Sequence, residues 1–189
     1  MWTKVRLIHM KFYTSDLHFN HANIMTLCHR PFKSIEEMNE TIILKWNQKI
    51  LASDEVYILG DVVWGNGLMA NQFISRLKGK KFLIEGNHDY RFLKDRNFDL
   101  SLFKWVKKYE EIEDNYNKVI LCHYPMAEWN GFYHNSIDLF GHVHDNPSFY
   151  HNYPWAYCKN AYNVGVDVND FEPKTLTELT HNARKFVTE

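Results

Sequence analysis

Cysteine is scarce in this chain of 189 residues. The three present, Cys28, Cys122 and Cys158, are odd in number, widely spaced and form no Cys-x-x-Cys pair. That argues against a disulfide framework and reads as reduced thiols in a cytoplasmic protein. Long apolar runs are missing: none approaches the roughly 18 residues of a membrane span. Residues Met1 to Met10 carry two basic side chains but no true hydrophobic region and no small-residue cleavage site, so no signal peptide is expected. Charge of one sign is missing too. Lys plus Arg number 22 and Asp plus Glu 23, a net charge of −1, which gives no extended nucleic-acid surface and no basic footprint for membranes. The five prolines and eight glycines assemble no linker, and no repeat or low-complexity stretch marks a boundary. One domain over 1–189 is the expectation, with 1–9 as a candidate N-terminal extension.

What is present is an ordinary globular composition, 45% hydrophobic and 24% charged, with two unusual features: 11 histidines and 16% aromatic residues. Val5 to Thr14 reads as strand. Ser34 to Leu51 reads as the best helix, with Ser34 and Glu37 as a capping box and Ile35, Met38, Ile42, Trp46 and Ile50 as its apolar stripe. Strand over Val56 to Leu59, helix over Leu68 to Leu77, strand over Lys81 to Ile84 and a weak helix over Tyr90 to Arg96 follow. The second half is strand-rich. A hairpin runs over Lys107 to Ile112 and Lys118 to Cys122, then come a buried strand over Ile137 to Phe140, a strand or two within Asn160 to Val168, and a helix over Pro173 to Leu179. The class is α/β or mixed α+β, with helices covering sheet faces.

The residues that carry chemistry fall at the ends of those strands. Ser15-Asp16-Leu17-His18 ends the first, Gly60-Asp61 the second and Glu85-Gly86-Asn87-His88-Asp89 the third. His123 and then Gly141-His142-Val143-His144 end two later ones. Open α/β sheets bind ligands beyond the carboxyl ends of their strands, so convergence at one edge is expected. Carboxylate oxygen, amide oxygen and imidazole nitrogen suit Zn, Mn, Fe, Ni or Co, and no cysteine stands among them to build a closed thiolate site. In Asp16-x-His18 and His142-x-His144 the two groups are two residues apart, which in an extended segment points them the same way. The glycines before Asp61, Asn87 and His142 suit sharp turns and close backbone approach. Alone, each block has an ordinary explanation: Asp-x-His a surface loop, Gly-Asp a turn, His123 a hydrogen-bonded histidine at the core's edge. All five in order, each after a strand, do not. Seven candidate ligands are too many for one open catalytic metal and suit two metals that share a carboxylate.

The ordered blocks Asp-x-His, Gly-Asp, Gly-Asn-His-Asp, His and Gly-His-x-His resemble those of the calcineurin-like metallophosphoesterases, over Phe12 to about Asp170. The stretches from Ser15 to Ile24, Arg30-Pro31-Phe32 and Asn163 to Val168 look like a small bacterial and phage branch of that family. The resemblance implies a four-layer α/β/β/α sandwich with two packed mixed β-sheets. It implies two divalent metal ions, Mn²⁺ foremost, with Fe, Zn, Ni, Co and Mg as alternatives. Asp16, His18 and His144 would hold one ion, Asn87, His123 and His142 the other, and Asp61 would bridge them. A hydroxide between the ions would attack phosphorus, His88 would act as general acid and Asp89 would orient it. The departures are informative. The chain has Gly60-Asp61-Val62-Val63-Trp64-Gly65 where the family's protein phosphatases have an arginine, and Glu85 where they have another. The family's DNA-repair nucleases add parts that 189 residues do not hold.

Substrate choice falls to loops. Arg30 suits a phosphate oxygen through its guanidinium fork, with a surface ion pair as the alternative. His21 is a candidate to sit behind a metal ligand, or a helix N-terminal residue. Tyr124, Trp129, Phe132 and Tyr133 read as packing rather than as a base-stacking platform. Tyr150, Tyr153, Trp155 and Tyr157 mark a candidate lid or dimer surface. The expectation is a metal-dependent phosphodiesterase acting on a small phosphorylated substrate, a nucleotide or cyclic nucleotide, as a monomer or homodimer. The alternatives are a nucleotide phosphomonoesterase, a short single-strand nuclease, or a metal-stabilised binding module. The last needs no general acid, so intact His88 and Asp89 speak against it.

Overall fold

The computed structural model describes residues 9–146, 148 and 160–181. The candidate lid residues, Cys158 and the N-terminal extension up to residue 8 lie outside them. Eight strands form two four-stranded sheets. The first contains β1 (Lys11–Thr14), β2 (Glu55–Ile58), β3 (Lys80–Ile84) and β4 (Val106–Lys107), and every pairing in it is parallel. The second contains β5 (Tyr109–Asp114), β6 (Asn117–Cys122), β7 (Ile137–Phe140) and β8 (Ala161–Asn163). It is mixed: β5 and β6 form an antiparallel hairpin, and β6, β7 and β8 run parallel. The hairpin turn falls on Asn115 and Tyr116, both in the left-handed region with φ of 48° and 64°, the geometry that matches strand twist.

Helices connect the parallel strands of the first sheet, as right-handed crossovers require. Helix α1 (Ala22–Leu27) and helix α2 (Ile35–Lys49) lie between β1 and β2, α3 (Gly67–Ile74) between β2 and β3, and α4 (Tyr90–Leu93) after β3. The sequence pattern misses α1, a single short turn pair with no capping side chain. It finds α2 with both ends nearly right. Ser34 caps it by accepting from the Glu37 N–H, while the Glu37 carboxylate reaches Lys33 N rather than Ser34, one residue outside the expected box. The final helix, α5 (Leu176–His181), follows β8.

Two apolar clusters hold the layers. Between the first sheet and α2 and α3 lie Phe12, Val56, Ile58 and Leu83 from strands, packed on Met38, Ile42, Trp46 and Ile74 from helices. Each such side chain contributes about 1.5–3 kcal/mol by leaving water. Between the sheets lie Tyr13, Tyr57, Leu59 and Ile84 on one side and Val119, Leu121, Ile137 and Leu139 on the other, closed by Leu176 and Leu179 of α5. Packing sheet on sheet brings the carboxyl ends of β1, β2 and β3 beside those of β6, β7 and β8. That edge is where the candidate residues meet.

Candidate metal centre

The strand ends are stitched together by backbone bonds. Asp16 N donates to Gly60 O at 3.0 Å, His18 N to Asp61 O at 3.0 Å, Gly141 N to His123 O at 3.0 Å and Val166 N to Ser15 O at 3.1 Å. The turns are tight. Asp16, His18, Asp61, His142 and His144 all have positive φ, between 50° and 72°. The extended geometry expected for Asp16-x-His18 and His142-x-His144 is therefore replaced by left-handed turns that hold Leu17 and Val143 buried between the paired side chains. Non-glycine residues in this region carry strain, of order 1–3 kcal/mol each, and persist where the surroundings over-determine them. The expected close approaches at glycine are present. A Cβ on Gly60 would lie 2.5 Å from His123 Nδ1, and one on Gly141 would strike the Ser15 hydroxyl.

Asp61 sits at the centre. Its Oδ1 accepts from His88 N at 2.9 Å. Its Oδ2 lies 3.6 Å from His18 Nε2, 3.7 Å from His123 Nε2 and 3.9 Å from His88 Nε2. Asp16 Oδ2 accepts from His142 N at 2.9 Å. Among the described residues, Asp16 Oδ1 and His18 Nε2 are buried with no hydrogen-bond partner. Asp16, His18 and His144 present ligand atoms within 4.8 Å of one another, and so do Asp16, Asp61 and His123.

The tautomers decide what these atoms can do. His123 Nδ1 lies 2.6 Å from the Leu59 carbonyl. Donating there leaves Nε2 to face the site. Nε2 lies 3.0 Å from Asn87 Oδ1, and the same amide oxygen lies 2.9 Å from His142 Nδ1. His144 Nδ1 is 2.8 Å from Asp167 Oδ2, so Nε2 is left for the site. Acceptors pointed at acceptors in a buried place are costly unless a cation or proton lies among them. The donor set, carboxylate and imidazole with one amide oxygen, fits a divalent transition metal.

The electrostatics favour the ligating form for two of the histidines and oppose it for His144. Burial, helped by the charge of His144 and Arg30, holds His18 well below the usual imidazole range, and burial and His123 lower His142. Neutral imidazoles are the ligating form. Burial also lowers His144, but hydrogen bonds with Asp167 and Cys28 and the charge of Asp16 outweigh it and push it up to about 10. Burial raises Asp61, with Asp16 adding to the effect and His123 opposing it.

Around this cluster the remaining candidates separate. The His88 side chain is one-third exposed at 33%, and its ring lies 4.9 Å from that of Trp64, while Asn87 faces His123 and His142. Adjacent residues thus serve different sides. His21 lies behind His18, with Nδ1 atoms 3.2 Å apart, and stacks on Trp64 at 4.0 Å.

Two expectations are corrected. Asp89 does not touch His88. Its carboxylate, fully buried, accepts from Asp61 N, Val62 N and Gly86 N at 2.9, 2.8 and 2.8 Å and so pins two of the site's turns together. Arg30 takes the ion-pair alternative, buried rather than at the surface. It is 4% exposed, and its guanidinium forks onto Asp167 at 2.7 and 3.0 Å. Ring contacts bear out packing for Trp129 and Phe132. Tyr124 instead stands 46% exposed beside His142 and His123, with ring centres 4.7 and 5.0 Å away. Sequence reasoning missed Asp167 and Trp64 as members of the site. The signals were an acid within the apolar run Val164-Gly165-Val166-Asp167-Val168, and an aromatic three residues after Asp61.

A family model for calcineurin-like phosphoesterases matches residues 12–164, which takes in every strand-end motif. The chain belongs to the calcineurin-like phosphoesterase family. This phosphoesterase is 35% identical over 165 residues to the uncharacterized protein MJ1445 of Methanocaldococcus jannaschii, covering 86% of this chain and 84% of that one. It is 36% identical over 80 residues to the gene 66 protein of Mycobacterium phage L5, 41% of this chain and 38% of the phage protein. A crystal structure of a protein of unknown function, AQ665 from Aquifex aeolicus, superposes with a TM-score of 0.70 at 26% identity. It covers 93% of the phosphoesterase and 100% of its own chain. Membership implies divalent metal ions, and the residues described above are chemically suited to them. Among the described residues no helix is long and apolar enough to cross a membrane.

Proposed function

We propose that this phosphoesterase is a dinuclear metal-dependent phosphodiesterase acting on nucleotides. Asp16, His18 and His144 would hold one ion, Asn87, His123 and His142 the other, and Asp61 would stand between them. The observation that carries this reading is the pair of unpartnered buried atoms Asp16 Oδ1 and His18 Nε2, close to His123 Nε2, which faces Asn87 Oδ1 at 3.0 Å. Asp61 Oδ2 lies 3.6 Å from His18 Nε2 and 3.7 Å from His123 Nε2 and so stands between the two groups. When bound, two divalent cations supply Lewis-acid charge for the phosphoryl oxygens and lower the pKa of water, with Mn²⁺ our first choice.

The chain's own residues supply the rest. His88 has a one-third exposed side chain, no position in either ligand set, and its Nε2 3.9 Å from Asp61 Oδ2. It donates the proton to the leaving alkoxide. Trp64 limits the rotation of the His88 ring. Tyr124 offers an exposed aromatic face beside His142, of the kind a nucleobase stacks on. Arg91 lies over Trp64 at 4.2 Å with no carboxylate partner among the described residues, and supplies positive charge at the rim for a second anionic group. The free thiols Cys28 and Cys122 fit a reducing, cytoplasmic setting. We read the chain as one catalytic domain.

The test is hydrolysis of bis(nitrophenyl) phosphate and nitrophenyl phosphate, with Mn²⁺ and with chelator. Diester cleavage faster than monoester cleavage, abolished by chelator, is the expected result. Faster monoester cleavage makes the protein a phosphatase. Two bound ions with no turnover of these esters or of a nucleotide panel makes it a binding module.

A further inference from the structure

We infer that Arg30 and Asp167 are positioning residues that assemble one half of the metal centre, the half containing Asp16, His18 and His144. The inference rests on the dinuclear reading above and adds to it what holds that half in place.

The three side chains come from different sheets. Asp16 and His18 follow β1 of the first sheet, and His144 follows β7 of the second. The His142 N–H bond to Asp16 Oδ2 at 2.9 Å ties the two loops at one point but does not hold the His144 ring. Arg30 and Asp167 span that gap. All five N–H bonds of the guanidinium are used. Nε and Nη2 donate to the two oxygens of Asp167 at 2.7 and 3.0 Å. Nη2 also donates to the Asp16 carbonyl at 2.7 Å, and Nη1 to the Leu17 carbonyl at 3.0 Å and the Met38 sulfur at 3.5 Å. The two carbonyls belong to the turn in which Asp16 and His18 hold φ of 57° and 50°. Arg30 therefore fixes the orientation of two peptide units in a strained segment. Asp167, held by the same fork, accepts from His144 Nδ1 at 2.8 Å and so sets both the tautomer and the ring direction of that ligand. Asn163 adds a further tie by donating to the His144 carbonyl at 2.9 Å.

The energetics favour positioning over stability as the reason for this pair. The two side chains are 0% and 3% exposed. A buried ion pair pays a desolvation cost that its attraction often only balances, so it is a poor way to stabilise a fold. An arginine whose five donors match two carboxylate oxygens, two carbonyls and a thioether gains orientation instead, which lysine cannot reproduce. Carboxylates behind ligating histidines typically govern metal affinity by about 10–100-fold.

The experiment is equilibrium Mn²⁺ binding to the metal-stripped full chain, with the melting temperature of each metal-free variant alongside. Wild type is expected to bind two ions. Asp167→Asn should bind one with wild-type affinity and the other about 10–100-fold more weakly. Arg30→Lys, which keeps the charge but not the fork, should show the same selective loss. Arg30→Gln leaves Asp167 buried and unpaired; should it fail to fold, the Arg30→Gln, Asp167→Asn double variant carries the test, because it removes both charges together. The double variant should melt near wild type and still bind one ion weakly, a separation that a purely structural role does not produce. With Co²⁺ in place of Mn²⁺, the visible spectrum should change for one ion only. Wild-type affinity for both ions in Asp167→Asn and in the double variant overturns the inference, and so does equal weakening of both. A wild-type chain that binds no Mn²⁺ overturns the dinuclear reading and this inference with it.

Discussion

At the rim formed by the strand ends, four buried carboxyl groups each accept from a fixed donor. Asp16 takes the His142 N–H, Asp61 the His88 N–H, Asp89 three backbone N–H groups, and Asp167 the Arg30 fork together with His144. In the middle of β7, Asp138 is equally buried, at 0% exposure, and neither of its oxygens has a hydrogen-bond partner among the described residues. Its neighbours Ile137 and Leu139 point into the core between the sheets, so Asp138 points to the other face of the sheet. Burial pushes it up to about 7, with the nearby backbone N–H of Met126, outside normal hydrogen-bond geometry, opposing the shift. The rim carboxyls are buried as part of a built arrangement. The mid-strand one is buried at a net cost.

The largest expected effect breaks the rim at its centre. Asp61→Ala should lose tight binding of at least one metal ion and all turnover above background, read by metal analysis and diester hydrolysis. Next comes His88→Ala. It should bind metal as wild type does and hydrolyse the diester about 10²–10⁴-fold more slowly, as the loss of a general acid does. Normal turnover in that variant removes His88 from its role. A smaller effect, on folding rather than chemistry, is expected from Asp89→Ala. It strands the N–H groups of Asp61, Val62 and Gly86, at about 1–3 kcal/mol each. Urea denaturation of the metal-free chain should show a loss of several kcal/mol.

The mildest change tests the other side of the comparison. Asp138 has a folded-state pKa above that of an unfolded aspartate, so its contribution is fully present below the unfolded value. It is lost as pH rises from about 4 through about 7, where the unfolded chain binds fewer protons. Asp138→Asn removes that loss. The variant should match wild type near pH 4 and exceed it at pH 8 by about 4 kcal/mol, read as a higher midpoint in denaturant. A variant less stable than wild type at pH 8 would mean that the carboxylate has a favourable role there.

Much of the fold was legible because local patterns and tertiary packing agree. The apolar stripe of α2, with Met38, Ile42 and Trp46 buried, is as readable in the chain as in the structure. The hairpin of β5 and β6 is legible for the same reason. Helix α1 was not, because six residues with a single buried side chain, Ile24, present no period to detect. At the site, the strand-end motifs announced their chemistry through residue type and position. Asp89 was misjudged, and Arg30 was left between a phosphate and an ion pair, because residue type alone does not say which way a charged side chain faces. Both lie beside metal-ligand motifs, and both turn inward to hold backbone.

The sequence by itself determined the alternation of strands and helices, the ligand types and their order along the chain. These depend on side-chain chemistry and local periodicity, which are written in neighbouring residues. Only the tertiary structure decided that His123 presents Nε2 by giving Nδ1 to the Leu59 carbonyl 64 residues away. It alone decided that Arg30 meets Asp167 across 137 residues, and that Asp138 is buried with no well-formed hydrogen bond among the described residues. Partnerships at such separations depend on how two sheets pack, and packing is a property of the whole core rather than of any segment.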